Sequence, residues 1–139
     1  MGRIMAVDFG DVRTGLAFSD ISKTLVGEAF VINDRNFDRV AKSICEEAKA
    51  RDAEKIILGY PKNMNGTIGV RAEKSEELAE KLRSIGAPEV VLWDERLTSV
   101  DAHRILSETG KFGKKRKETV DAVAATLILE GYLSSLRIF

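Results

Sequence analysis

Apolar positions change period several times along the chain, and each change predicts an element. Ile4-Met5-Ala6-Val7 is a short apolar run that ends on a carboxylate, Asp8. Phe9-Gly10-Asp11-Val12-Arg13-Thr14-Gly15 then turns the chain, and Leu16-Ala17-Phe18 is apolar again. Residues 4–8, 14–19 and 25–32 therefore read as three successive strands with turns at Gly10–Arg13 and Asp20–Lys23, a β-meander. The period next becomes helical: Phe37, Val40, Ala41, Ile44 and Ala48 follow a start signal at Asn33-Asp34 or Asn36. Lys55-Ile56-Ile57-Leu58-Gly59 has the continuous apolar centre of a strand buried on both faces. A loop with Pro61, Asn63, Asn65, Gly66 and Gly69 leads to an amphipathic helix near 70–85. Leu78 and Leu82 face inward there, and Gly86 ends it. Val90-Val91-Leu92-Trp93 is a fifth strand, and it too runs into acid, Asp94-Glu95. A short helix over about 99–107, a loop from Thr109 to Lys117 and a last helix over about 119–135 complete the prediction.

The order β-β-β-α-β-α-β-α joins an antiparallel meander to parallel crossovers. The predicted fold is α/β: a mixed five-stranded sheet flanked by helices, in one domain spanning residues 1–139.

Composition narrows the class only slightly. Charged residues are 32% of the 139 and balance at 22 basic against 22 acidic, so any affinity for nucleic acid must come from local segregation of charge. The single cysteine, Cys45, has no partner within the chain, which fits a reducing cytoplasm; near the stripe of VAKSICEEAKA it reads as a buried structural thiol. The apolar start lacks the features of a signal peptide, and Ala122–Leu129 is far shorter than the ~20 residues that cross a bilayer. A cytoplasmic protein with no membrane partner is expected.

The chemistry is suggested by the acids. In open α/β sheets, sites gather at the carboxyl edge of the strands. Two strands deliver acid there, the first through Asp8 and the fifth through Asp94-Glu95. Asp121 lies in the predicted first turn of the last helix, on the flank of a stripe at Val120, Val123, Ala124, Leu127 and Gly131. Converging carboxylates repel unless a cation neutralises them, and oxygen ligands suit Mg²⁺ or Mn²⁺. Two such ions ~4 Å apart activate water and stabilise a leaving oxygen in phosphodiester hydrolysis. With only His103 and Cys45, the chain lacks the ligands of a zinc site. Each acid also has a plainer role open to it: Asp8 in an Asx turn, Asp121 complementing the helix dipole, Asp94 or Glu95 pairing with Arg96.

Four blocks together resemble one known family. They are Asp8-Phe9-Gly10 with Arg13 and Gly15, Gly59-Tyr60-Pro61 with Gly66, Asp94-Glu95-Arg96-Leu97-Thr98-Ser99, and Asp121-Ala122. In these the chain is similar to the YqgF (RuvX) family, a bacterial group with a ribonuclease H-like fold. The resemblance covers nearly the whole chain. It implies a two-metal nuclease that resolves Holliday junctions or matures the 5′ end of pre-16S ribosomal RNA. By the same resemblance Asp8, Glu95 and Asp121 hold the metals. Asp94, one residue before Glu95, faces the other way by strand alternation. No acid ends the fourth strand, where better-studied ribonuclease H-like enzymes commonly carry one.

Arg13, Lys62 and Arg96 belong to loops on that edge and suit phosphate. Lys114, Lys115 and Arg116 sit in a denser cluster with Lys111 and Lys117, between Gly110 and Gly113 and the final helix. A nucleic-acid clamp there, on structured RNA precursor or branched DNA, competes with a merely solvated loop. Phe112 stacks on a base or anchors that loop, Trp93 belongs to the core, and His103 faces solvent without a catalytic role. The chain is expected to be a monomer or weak homodimer, symmetric cutting of a junction calling for two sites. Two other classes fit the same residues: a sugar-kinase or actin-like ATPase, which needs a second such domain, and a non-catalytic nucleic-acid or pre-ribosome binding module.

Overall fold

The structure is a computed structural model that describes residues 2–61, 69–94 and 113–136, with side chains in the last segment from residue 122 onward. Strands β1 (Arg3–Asp8), β2 (Arg13–Ser19) and β3 (Val26–Asn33) form the expected meander. Helix α1 (Phe37–Ala50), β4 (Ala53–Tyr60), α2 (Val70–Ser84), β5 (Glu89–Asp94) and α3 (Gly113–Ser135) follow. The sheet order is β3-β2-β1-β4-β5, antiparallel from β1 to β3 and parallel across β1, β4 and β5. The expected helix over 99–107, the loop residues 62–68 and the side chains of His103 and Phe112 lie outside the described residues.

Strand alternation divides the core between two faces. Met5, Val7, Leu16, Phe18, Ile56, Leu58 and Val90 pack with Val40, Ala41 and Ile44 of α1 and Leu78, Ala79 and Leu82 of α2. Ile4, Ala6, Ala17 and Ile57 point to the other face, where Ala125, Ile128, Leu129, Tyr132 and Leu133 of α3 cover them. Each odd–even step along β1 thus changes the layer a side chain enters.

Local signals account for the helix ends. Asn36 caps α1 by accepting from the Arg39 N–H at 2.9 Å. Asp34 accepts from the Asn36 N–H and from the Arg39 guanidinium, which holds its carboxyl down at about 2. Gly86 ends α2 at φ 93°, with the Ala87 N–H donating to the Leu82 carbonyl, a Schellman closure. Cys45 is buried as expected, and burial pushes its thiol up.

The last helix corrects the sequence reading in two ways. It begins at Gly113, so Lys114, Lys115, Arg116 and Lys117 stand on helical backbone instead of in a loop. Lysine and arginine are good helix formers, and nothing between Gly113 and Asp121 breaks a helix. The buried stripe is also different: Ala125, Ile128, Leu129, Tyr132 and Leu133 form it, whereas Val123, Ala124 and Gly131 are only half-buried. Of the expected positions only Leu127 is buried among those described. Residues 122–129 are apolar almost throughout, so several stripes had the right spacing and the sheet selected one. Among the described residues no helix is long and apolar enough to cross a membrane.

Candidate active site

Asp8 is the last residue of β1 and shares the parity of Ile4 and Ala6, which places it on the face covered by α3. Its partner across the β1–β2 ladder is Gly15. On the other side Val7 pairs with Leu58, and one further step in that register brings Gly59 level with Asp8. The carboxylate therefore ends its strand between two residues without side chains. Beyond Gly59 comes Trp93, its partner on β5, which packs edge-on to Tyr132 with ring centroids 5.8 Å apart. The half-buried Trp93 borders the α3-side core as expected, and its Nε1 is buried without a hydrogen-bond partner among the described residues.

Arg13 opens β2 two residues before Gly15 and has the parity of Ala17, so it belongs to the same face as Asp8 and lies nearer the mouth. The turn between them is closely packed. A Cβ at Gly10 would lie 2.3 Å from the Arg13 carbonyl oxygen, a backbone atom that cannot yield without opening the turn. Gly10→Ala is expected to cost about 1–3 kcal/mol. Urea denaturation checks this, and an unchanged midpoint would show that the turn relaxes freely.

The direction of α3 brings the third acid to this edge. Lys55, level with Ile4 near the amino end of the parallel strands, donates from Nζ to the Tyr132 hydroxyl at 3.0 Å. Leu133 shares a groove with Leu25 and Val26 at the same end. The carboxyl end of α3 thus lies over the amino edge of the sheet, and its earlier turns run toward the carboxyl edge. From Tyr132 back to Asp121 is a helical rise of about 16 Å, and from Ile4 to Asp8 a strand advance of about 13 Å. The Asp121 backbone therefore comes near the level of Asp8, one turn before the buried Ala125. Because α3 begins at Gly113, Asp121 is two turns inside it. A dipole-complementing role is thereby removed, since that effect is confined to the first turn.

On β5, Val91 and Trp93 border the α3-side core, whereas Val90 and Leu92 belong to the α1/α2 side. Asp94 has the second parity and lies on the face opposite Asp8. Glu95, Arg96 and Lys62 lie outside the described residues, and the side chains of Lys114, Lys115, Arg116 and Asp121 are likewise not described. Among the described residues no three His, Cys, Asp or Glu side chains group as a metal site.

One cationic residue at this edge escaped the sequence reading. Arg71, in the first turn of α2, donates from Nη2 to the carbonyl of Phe9 at 3.5 Å, one residue beyond Asp8. Its only signal in the sequence is a lone basic residue behind the glycine-containing loop. A groove of about 840 Å³ lies at the other edge of the sheet and includes Arg3, Asp20, Glu28 and Arg51. Arg51 is committed there: it pairs with Glu28 and Glu47 and lies over the Phe18 and Phe30 rings. That groove is a structural corner.

Residues 2–135 match the model of a protein family described as "RuvX: Holliday junction resolvase". A protein of Caldanaerobacter subterraneus subsp. tengcongensis named "Putative pre-16S rRNA nuclease" is 42% identical over 134 residues, covering 96% of each chain. One of Bacillus cytotoxicus with the same name is 44% identical over 139 residues, covering 96% of this chain and 98% of that one. Among solved structures, RuvC of T. thermophilus in complex with a Holliday junction substrate superposes with a TM-score of 0.61 at 12% identity, over 99% of this chain and 96% of that one. The fowlpox virus Holliday junction resolvase gives 0.59 at 12% identity, over 96% and 99%. At such identities these two establish the fold alone, which is ribonuclease H-like.

Proposed function

The chain belongs to the RuvX family, and on that premise we propose that it is a metal-dependent nuclease acting on structured nucleic acid, foremost the precursor end of small-subunit ribosomal RNA. The observation that carries this reading is the placement of Asp8. It ends the central strand between Gly15 and the level of Gly59, on the face where α3 brings Asp121. The names of the relatives support RNA as substrate, and the family description supports branched DNA as its competitor.

Asp8, Glu95 and Asp121 are the residues that would hold Mg²⁺ or Mn²⁺. The fit is chemical: oxygen donors suit these hard cations, and a carboxylate flanked by glycines leaves room for an ion and a phosphate together. When bound, two such ions would neutralise the acids, lower the pKa of a water and stabilise the leaving oxygen. The chain's own residues position the substrate. Arg13, on the face of Asp8 and nearer the mouth, presents a planar fork to non-bridging phosphate oxygens. Lys62 and Arg96, which follow β4 and β5 in the chain, would add charge. Lys114, Lys115 and Arg116, ahead of Asp121 on α3, hold the flanking backbone without reading its sequence. The chain acts as one domain, alone or as a weak homodimer, in the cytoplasm.

The test is cleavage of two labelled substrates in parallel, an RNA with the precursor 5′ end and a four-way DNA junction. Each is incubated with Mg²⁺, with Mn²⁺ and with chelator. Cutting in either metal and none in chelator is expected, with the RNA preferred. Binding of the RNA by folded protein without cutting in any metal would replace the nuclease with a binding module.

A further inference from the structure

The geometry points to Arg71 as a phosphate-binding residue of this site, gripping the substrate strand from the side of the sheet opposite α3. The inference rests on the nuclease reading. Phe9 follows Asp8 directly, and its ring turns to the α1 side, edge-on to Phe37 with centroids 6.0 Å apart. Its carbonyl accepts from Arg71, so the guanidinium stands one residue from the proposed metal-binding acid. The backbone of Lys114 to Arg116 belongs to α3, whose later turns cover the other face. A strand crossing the carboxyl edge of the sheet would thus meet cationic residues on both sides of Asp8.

The hydrogen bond itself explains little of why an arginine is there. At 3.5 Å, to a neutral carbonyl and on an exposed residue, it is near the limit of a hydrogen bond. Other arginines of the chain are committed to carboxylates: Arg39 to Asp34, Arg51 to Glu28 and Glu47, and Arg83 to Glu80. Among the described residues Arg71 has no such carboxylate. Its guanidinium carries five N–H donors, and among the described residues only one contact is made. A fork with unused donors beside an acid that repels phosphate until a cation is bound is suited to fix the phosphate next to the scissile one.

The experiment compares wild type, Arg71→Ala and Arg71→Lys. Cleavage of the precursor-end RNA gives kcat and KM in Mg²⁺. Affinity for the same RNA is measured across a salt series with each variant also carrying Asp8→Asn, so that nothing is cut. For Arg71→Ala, KM is expected to rise about tenfold with kcat within about twofold, and the salt slope to flatten by about one. Arg71→Lys should restore the slope and part of the affinity. A merely structural arginine would lower the thermal midpoint and leave the slope unchanged. Unchanged affinity and slope in Arg71→Ala, while wild type cuts, would overturn the inference and leave the nuclease reading standing. Wild type that neither binds nor cuts the RNA would overturn both.

Discussion

Asp8→Asn is expected to abolish cleavage to within measurement, a loss on the order of a thousandfold or more, equivalent to at least about 4 kcal/mol in the transition state. The substitution is nearly isosteric and its ladder neighbour is Gly15, so little repacking is needed. What changes is charge: a carboxylate, on the proposed reading an anionic ligand of the metal, becomes a neutral amide. Two measurements separate this from unfolding. On the proposed reading, the thermal midpoint of the variant without added metal should match wild type or exceed it, because one of the carboxylates that would repel one another without a cation is gone. With Mg²⁺ the wild-type midpoint should rise as ligand binds the folded state, and the variant's should not. A variant that cuts at the wild-type rate would remove Asp8 from the mechanism. A metal-dependent midpoint retained in the variant would place the ion elsewhere.

Phe18→Ala is expected to carry the largest stability penalty of the substitutions considered, about 3–5 kcal/mol. Phe18 is 1% exposed, stacks on Phe30 with centroids 6.0 Å apart and underlies the Arg51 guanidinium at 4.7 Å. Truncation leaves a cavity between β2 and α1 and takes one ring from beneath Arg51, whose pairs with Glu28 and Glu47 tie β3 to the end of α1. Against a total stability of about 5–15 kcal/mol, the loss should lower the urea midpoint strongly with the m-value unchanged. The thermal midpoint should fall by roughly 10–20 °C. A loss below about 1 kcal/mol would mean that Phe18 is not the anchor of that layer.

Much of the architecture was legible because its signals are local. The runs Ile4–Val7 and Ile56–Leu58 have apolar residues on consecutive positions, as a strand with two covered faces does. Asn36 and Gly86 mark helix ends through contacts within a few residues. The final helix was legible in existence and not in detail. Its basic run, close behind Gly110 and Gly113, looked like a loop, and its apolar stretch has no single periodicity. The start at Gly113 and the stripe from Ala125 to Leu133 follow from helix propensity and from the surface offered by Ile4, Ala6, Ala17 and Ile57.

The candidate site divides in the same way. That Asp8 and Asp94 end their strands at one edge could be read from element order, since parallel strands joined by crossovers end together. Which acid belongs to which face could not, because alternation alone gives relative sides and names neither. Packing settles it: Ile4 and Ala6 meet α3, so Asp8 does too, while Asp94 falls with Val90 and Leu92 on the far side. The place of Arg71 depends on a contact across 62 residues, and no local pattern carries that.

By itself, then, the sequence determined the elements, their order and the acids that end them, because periodicity, caps and turns act over a few residues. Only the tertiary structure decided the strand order β3-β2-β1-β4-β5, the face of each carboxylate and the stripe that α3 buries. Those choices rest on apolar surfaces far apart in the chain, whose burial counts only once the sheet has formed.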